Sequence, residues 1–164
     1  KLPFADQLAK ERMERPLIVF AHHQAARDTL ENAFKRKGAR VARIDGSTRK
    51  RELIVDAFQH GELDVLVGSM LACGCGLTLT ASCTVAFFEL YWTPAVLAQC
   101  EDRVHRIGQK AKKVHVYYYI APGSCDELVM SSLQHKQSVC ERLLGAAVPK
   151  QQDAKRAKRQ QQRD

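Results

Sequence analysis

A chain of 164 residues, 45% of them hydrophobic, is long enough to bury one sizeable core and too short for two. Its net charge of +8 suits a polyanionic partner, and half of that charge sits in Lys150 to Asp164, which carry six Lys/Arg against two Asp. No apolar run approaches the roughly 20 residues that span a bilayer, no signal-peptide pattern opens the chain, and the six cysteines lie mostly in apolar segments; a soluble, intracellular chain with reduced thiols and no membrane partner is expected.

Residues 1–15 mix charges with apolar positions at Leu2, Phe4, Leu8 and Met13, which predicts a helix packed by one face and ended by Pro16. The continuous apolar run Leu17 to Ala21 predicts a strand buried on both faces. Ala26, Leu30, Ala33 and Phe34 then recur at helical spacing, and Gly38 is a natural stop. Arg40 to Ile44 is strand-like, Asp45 to Thr48 turns, and Leu53, Ile54, Ala57 and Phe58 mark a helix over 49–60. Asp64 to Gly68 and Thr84 to Glu89 are two more apolar strands, Pro94 to Val104 is helical, and Val114 to Ile120 is a β-branched and aromatic strand. Ser124 to Glu127 has the form of a capping box that opens a helix running towards Leu144. Strands alternating with helices over short connections predict an α/β fold with a mostly parallel sheet, its function in loops at the carboxyl ends of the strands. From Pro149 onward no apolar residue is large enough to anchor the chain, so 149–164 is expected to be a disordered basic tail.

The densest chemistry lies in Gln99 to Gln109, whose sequence is QCEDRVHRIGQ. At about 100° per residue, Gln99, Arg103 and Arg106 would share one helical face within roughly 60°. Two guanidiniums on one face suit the charge that develops on a phosphoryl group in transfer, because each forks onto two phosphate oxygens. The plain alternative is a solvated helix whose Glu101 and Asp102 pair those arginines.

The whole string resembles motif VI of the SWI/SNF-type helicase-like ATPases of superfamily two, which reads Q-A-x-D-R-x-H-R-I-G-Q; here Cys100 replaces the usual alanine. Other segments follow in the same order: LIVFAHH at 17–23 resembles motif IV, RIDGST at 43–48 the R-x-D-G-S/T turn, GSMLACGCGLTLTAS at 68–82 motif V, and FFELYWTP at 87–94 the motif Va region. The wording FAHH, RIDGST, GLT and FELYW is most similar to the HARP-like annealing helicases. The resemblance implies a RecA-like three-layer α/β/α sandwich, the second lobe of a P-loop NTPase-like motor, over 16–148, with 1–15 an extension from the preceding lobe. It also implies roles: Arg103 and Arg106 as arginine fingers, Gln99 as the motif's opening glutamine, Gly74 and Gly76 as the motif V glycines near nucleotide, and Ser47, Thr48 and Trp92 as DNA-contacting residues. Thr78 stands where the family often has asparagine, and Cys73 and Cys75 where it has small or apolar residues.

Plainer readings stand beside these. Ser47 and Thr48 suit N-capping of the 49–60 helix, and Trp92 suits a core position before Pro94. Cys73-x-Cys75 with Cys83 and His22-His23 lacks the C-x2-C spacing of a zinc knuckle, so no metal site is assigned. Tyr117 to Tyr119 suit core better than a base-stacking platform, and Lys155 to Arg159 suit nuclear targeting, DNA anchoring or a plain soluble tail.

Neither a Walker A sequence, G-x-x-x-x-G-K-[S/T], nor an acidic box after a strand occurs. ATP and Mg2+ are therefore expected to be held by an N-terminal RecA-like lobe outside this sequence, and this chain alone is expected not to hydrolyse ATP. The reading is half of a DNA-dependent ATPase of the nucleus, with an RNA helicase lobe or a non-catalytic binding module as alternatives.

Overall fold

The computed structural model describes residues 2–74 and 76–144; the expectations for Cys75 and for the tail from 149 fall outside them. Five strands form one parallel sheet, β1 (Leu17–Phe20), β2 (Val41–Ile44), β3 (Val65–Gly68), β4 (Thr84–Phe87) and β5 (His115–Tyr118), in the order β2-β3-β1-β4-β5. Leu17 stands level with Val65 on one side and Thr84 on the other, which places all the carboxyl ends along one edge. Each predicted strand is present, shortened by one to three residues, the scale on which ladder hydrogen bonding and hydropathy disagree about an end.

Alternation along β1 explains the layers. Ile18 and Phe20 join one buried cluster with Phe58, Leu66, Met70, Val85, Phe87, Leu97 and Leu133, whereas Leu17, Val19 and Ala21 join another with Leu8, Leu30, Phe34, Val67 and Phe88. The second cluster is covered by α1 (Ala5–Lys10) and α2 (Gln24–Arg36). The first is covered by α3 (Arg51–Gln59), α4 (Met70–Cys73), α5 (Pro94–Glu101) and α6 (Cys125–Leu144). This is a three-layer α/β/α sandwich. Phe87 stacks between Phe20 and Tyr118, with ring centroids 5.3 and 5.1 Å away. Tyr118 therefore packs into the first cluster, while Tyr117 and Tyr119 pack against the second.

Three helical expectations are corrected and one helix is added. The first helix stops at Lys10 rather than 15; a short 3-10 turn, Leu2–Phe4, precedes it, and Ala5, Leu8 and Ala9 bury its inner face against α2. The helix expected over 49–60 begins at Arg51 with Lys50 in the cap position and no side-chain cap, so Ser47 and Thr48 do not cap it. The helix expected to reach Val104 ends at Glu101, because Asp102 to Val104 turn. Arg103 and Arg106 thus lie beyond the helix and share no helical face with Gln99. The short α4, inside the motif V segment, was not expected at all: four residues carry no readable helical period. At the start of α6, Ser124 Oγ accepts from Asp126 N at 3.2 Å, as a cap should, but the acid that reaches back is Asp126, which accepts from Ala121 N.

One glycine in the sheet is required by packing. A Cβ on Gly68 would lie 2.7 Å from Cys73 Sγ and 3.1 Å from Phe20 Cε1, both fully buried. Gly68→Ala is expected to destabilise the fold by about 1–3 kcal/mol through overpacking. Urea unfolding should show a lowered midpoint at unchanged slope, and Cys73→Ala should recover part of the loss if the sulfur is the obstacle.

Candidate nucleotide and nucleic-acid interfaces

The loops that leave the strands' carboxyl ends carry the first group of candidates. After β2, the Asp45 carboxylate accepts from Ser47 N (3.0 Å), Ser47 Oγ (2.7 Å) and Thr48 Oγ1 (3.2 Å). These bonds, the Ser47 hydroxyl first, hold Asp45 below the usual carboxylate range despite its burial. Arg51 clamps the turn from α3, with Nη2 donating to Asp45 O at 3.1 Å and Nε to Thr48 O at 3.2 Å. Both hydroxyls are thus engaged within the turn, while Arg49 and Lys50 are exposed beside them.

After β4, Glu89 accepts from the backbone N–H groups of His22 and His23, each at 2.8 Å, and lies 3.0 Å from His23 Nδ1. This ties the loop after β1 to the loop after β4. Trp92 follows, 55% exposed, so the core reading of it is set aside; its carbonyl accepts from Lys136 Nζ at 2.8 Å. Two strands, β3 and β1, separate the Ser47–Thr48 turn from the Trp92 loop, roughly 14 Å across the sheet.

Gln99, Arg103, Arg106 and Gly74 form the second group. Gly74 is its centre: its carbonyl accepts from Arg103 Nη2 at 2.7 Å, and a Cβ on it would meet Met70 O at 3.0 Å and Gln99 Oε1 at 3.6 Å. A side chain at 74 would therefore press on the α4 backbone and rest against the glutamine. Gly76, at φ +73°, takes the left-handed turn that lets the chain leave α4. Arg103 is half-buried; its backbone carbonyl accepts from Leu79 N at 2.9 Å, and its buried Nε has no hydrogen-bond partner among the described residues. Arg106 is exposed, and among the described residues its side chain is held by Nη1 alone, on Thr78 Oγ1 at 3.3 Å.

The alternative in which Glu101 and Asp102 neutralise these arginines does not hold. Among the described residues neither guanidinium forms an ion pair, and the Glu101 carboxylate instead accepts from the Tyr118 hydroxyl. Two unneutralised guanidiniums on adjoining turns can take up an anion. Beyond Arg106 the loop 105–113 forms an open groove of about 400 Å3 lined by His105, Arg106, Ile107, Gln109, Ala111, Lys112 and Lys113, with no acid among them. Gln109 Nε2 donates to Ser82 O at 2.7 Å, just before β4, and His115 N to Cys83 O at 2.7 Å. This loop therefore lies where the strands begin, on the edge opposite the Ser47–Thr48 turn and Trp92. Gly74, by contrast, follows α4, which leaves the carboxyl end of β3 with Cys73 against Gly68, so the second group reaches from that edge towards the other.

Sequence reasoning gave Asp45 and Glu89 no role at the site, read Arg51 as part of a solvated first turn and Tyr118 as core, and paired Glu101 with the arginines rather than with Tyr118. An aspartate two and three residues before hydroxyls is a readable turn signal, but Glu89 works across 66 and 67 residues and Tyr118 across 17. Only the sheet brings those together.

Comparison with known families matches residues 1–108 to the helicase conserved C-terminal domain. The chain is 39% identical over 128 residues to a SWI/SNF-related matrix-associated actin-dependent regulator of chromatin subfamily A-like protein 1 homolog of Caenorhabditis elegans, covering 76% of this chain and 18% of that one. It is 42% identical over 125 residues to the DNA annealing helicase and endonuclease ZRANB3 of Homo sapiens, covering 74% and 12%. Among solved structures, the C-terminal part of the Fun30 ATPase domain superposes with a TM-score of 0.68 at 28% identity, over 71% of this chain and 38% of that one. The chain thus spans less than a fifth of the length of these two curated relatives. A parallel five-stranded sandwich, the ordered motifs and these matches agree: the chain belongs to the helicase conserved C-terminal domain family, as the second RecA-like lobe of the SWI/SNF-type helicases.

Proposed function

We propose that this lobe completes the ATP site of a DNA-dependent translocase of the nucleus, supplying arginines to phosphoryl transfer and contacts to the DNA backbone. The observation that carries the reading is the state of the two arginines: Arg103 is braced on Gly74 O, Arg106 is exposed, and neither is neutralised by a carboxylate of the described residues. A guanidinium held in place without a counter-ion is ready to offset charge that builds on a transferring γ-phosphoryl group.

In this reading the N-terminal lobe holds ATP and Mg2+, and the bound metal supplies charge neutralisation between phosphates. This chain's residues do the rest. Arg106 points its fork at developing negative charge, Arg103 holds the motif V loop against α5, and Gln99 shields Gly74. On the opposite edge, Ser47 and Thr48 are locked by Asp45, so the phosphate-directed donors of that turn are its remaining N–H groups and the Arg49 and Lys50 cations. Trp92, exposed after β4 on the same edge, offers an aromatic face to the nucleic acid.

The names of the relatives, a chromatin regulator and a DNA annealing helicase, favour DNA over RNA and a nuclear site of action. The test is ATP turnover of the full-length protein with no nucleic acid, duplex DNA, forked DNA or RNA. Stimulation by duplex or forked DNA well above that by RNA is expected. Equal or greater stimulation by RNA would favour an RNA helicase, and no turnover under any condition a binding module.

A further inference from the structure

We infer that Glu101 and Tyr118 are a positioning pair that fixes the turn presenting Arg103 and Arg106. The inference rests on the proposed role of those arginines and names what holds them.

Glu101 is the last residue of α5, two before Arg103. Its backbone carbonyl accepts from both Val104 N (3.0 Å) and His105 N (2.9 Å), so this one oxygen takes two of the bonds that close the turn between the two arginines, beside Arg103 N on Cys100 O (3.3 Å) and Arg106 N on Val104 O (3.1 Å). Val104 is fully buried and anchors the turn from within. The placement of Glu101 therefore bears on the backbone from which both guanidiniums extend.

Glu101 is tied down by its side chain as well as by the end of its helix. Its carboxylate turns inward and accepts from the Tyr118 hydroxyl, a residue of β5. Burial raises the carboxyl above its usual range, with the Tyr118 bond opposing the shift. The Tyr118 ring is itself fixed, stacked on Phe87 at 5.1 Å with planes only 8° apart, and Phe87 stacks on Phe20 at 5.3 Å. A rigid path thus runs from the centre of the sheet through one phenol to the loop that carries the arginines.

A carboxylate needed only for solubility would face water, and one needed only to neutralise an arginine would meet Arg103. Glu101 does neither. Its side chain leaves both guanidiniums without a counter-ion among the described residues while holding the backbone that bears them.

The experiment uses the full-length protein and measures DNA-stimulated kcat, KM for ATP, DNA affinity and thermal midpoint for Tyr118→Phe, Glu101→Ala, Glu101→Gln and the double variant Tyr118→Phe/Glu101→Ala, beside Arg106→Ala. Tyr118→Phe is expected to lower kcat by about tenfold, the scale of one net hydrogen bond at the transition state, with KM and DNA affinity within about twofold. Glu101→Ala should match it, and the double variant should lose no more than either single one, since both remove the same link. Glu101→Gln, whose amide oxygen still accepts from the phenol, should recover most of the turnover. Wild-type kcat in Tyr118→Phe and Glu101→Ala with an inactive Arg106→Ala would overturn the positioning pair alone; additive losses, or losses in KM rather than kcat, would do the same. Wild-type turnover in Arg106→Ala would overturn the finger reading and this inference with it.

Discussion

Arg106→Ala in the full-length protein is expected to lower nucleic-acid-stimulated ATP turnover by about 10³-fold or more, the range over which arginine fingers act in phosphoryl transfer. DNA affinity and stability should stay close to wild type. The side chain is exposed and makes a single 3.3 Å contact to Thr78 Oγ1, so its removal opens no cavity and strands no buried group. Single-turnover ATPase, fluorescence anisotropy on duplex DNA and a thermal melt together check the outcome; turnover at the wild-type rate would remove Arg106 from the chemistry.

Arg103→Ala should behave differently, losing turnover by about 10²-fold or more and also lowering stability by about 1–3 kcal/mol. Its Nη2 holds Gly74 O at 2.7 Å, and deleting it leaves a carbonyl without that donor in the seam between α4 and α5. Arg103→Lys should not restore either property, because an ammonium on a single stem cannot hold the carbonyl and keep a planar fork in place. Urea unfolding paired with steady-state kinetics separates the two arginines: one acts without supporting the fold, the other does both. Equal stability of the two alanine variants would contradict this division.

The sequence made the sheet legible because its strands are buried on both faces and therefore read as unbroken apolar runs: Leu17 to Ala21 needed no periodicity to be seen. The motif residues were legible as a string, since Gln99, Arg103 and Arg106 keep their spacing whatever the backbone does. Their geometry was not. A helix assumed to continue past Glu101 put all three on one face, whereas the backbone turns at Asp102 and Gly74 gathers Gln99 and Arg103 instead. Ser47 and Thr48 were similarly visible as hydroxyls at a turn, but it is Asp45 that decides what they are bonded to. In each case residue type was readable, and the partner, set by chain reversal or by a neighbouring strand, was not.

The Ser47–Thr48 and Trp92 loops and the 105–113 loop hang from opposite ends of one parallel sheet whose strands are four residues long, roughly 13 Å from end to end. The stacked rings of Phe20, Phe87 and Tyr118 stiffen the middle of it. Were the lobe to turn as one rigid body about the middle of that sheet, a swing of the 105–113 end one way would carry the Ser47–Thr48 and Trp92 end the other, with neither loop having to deform.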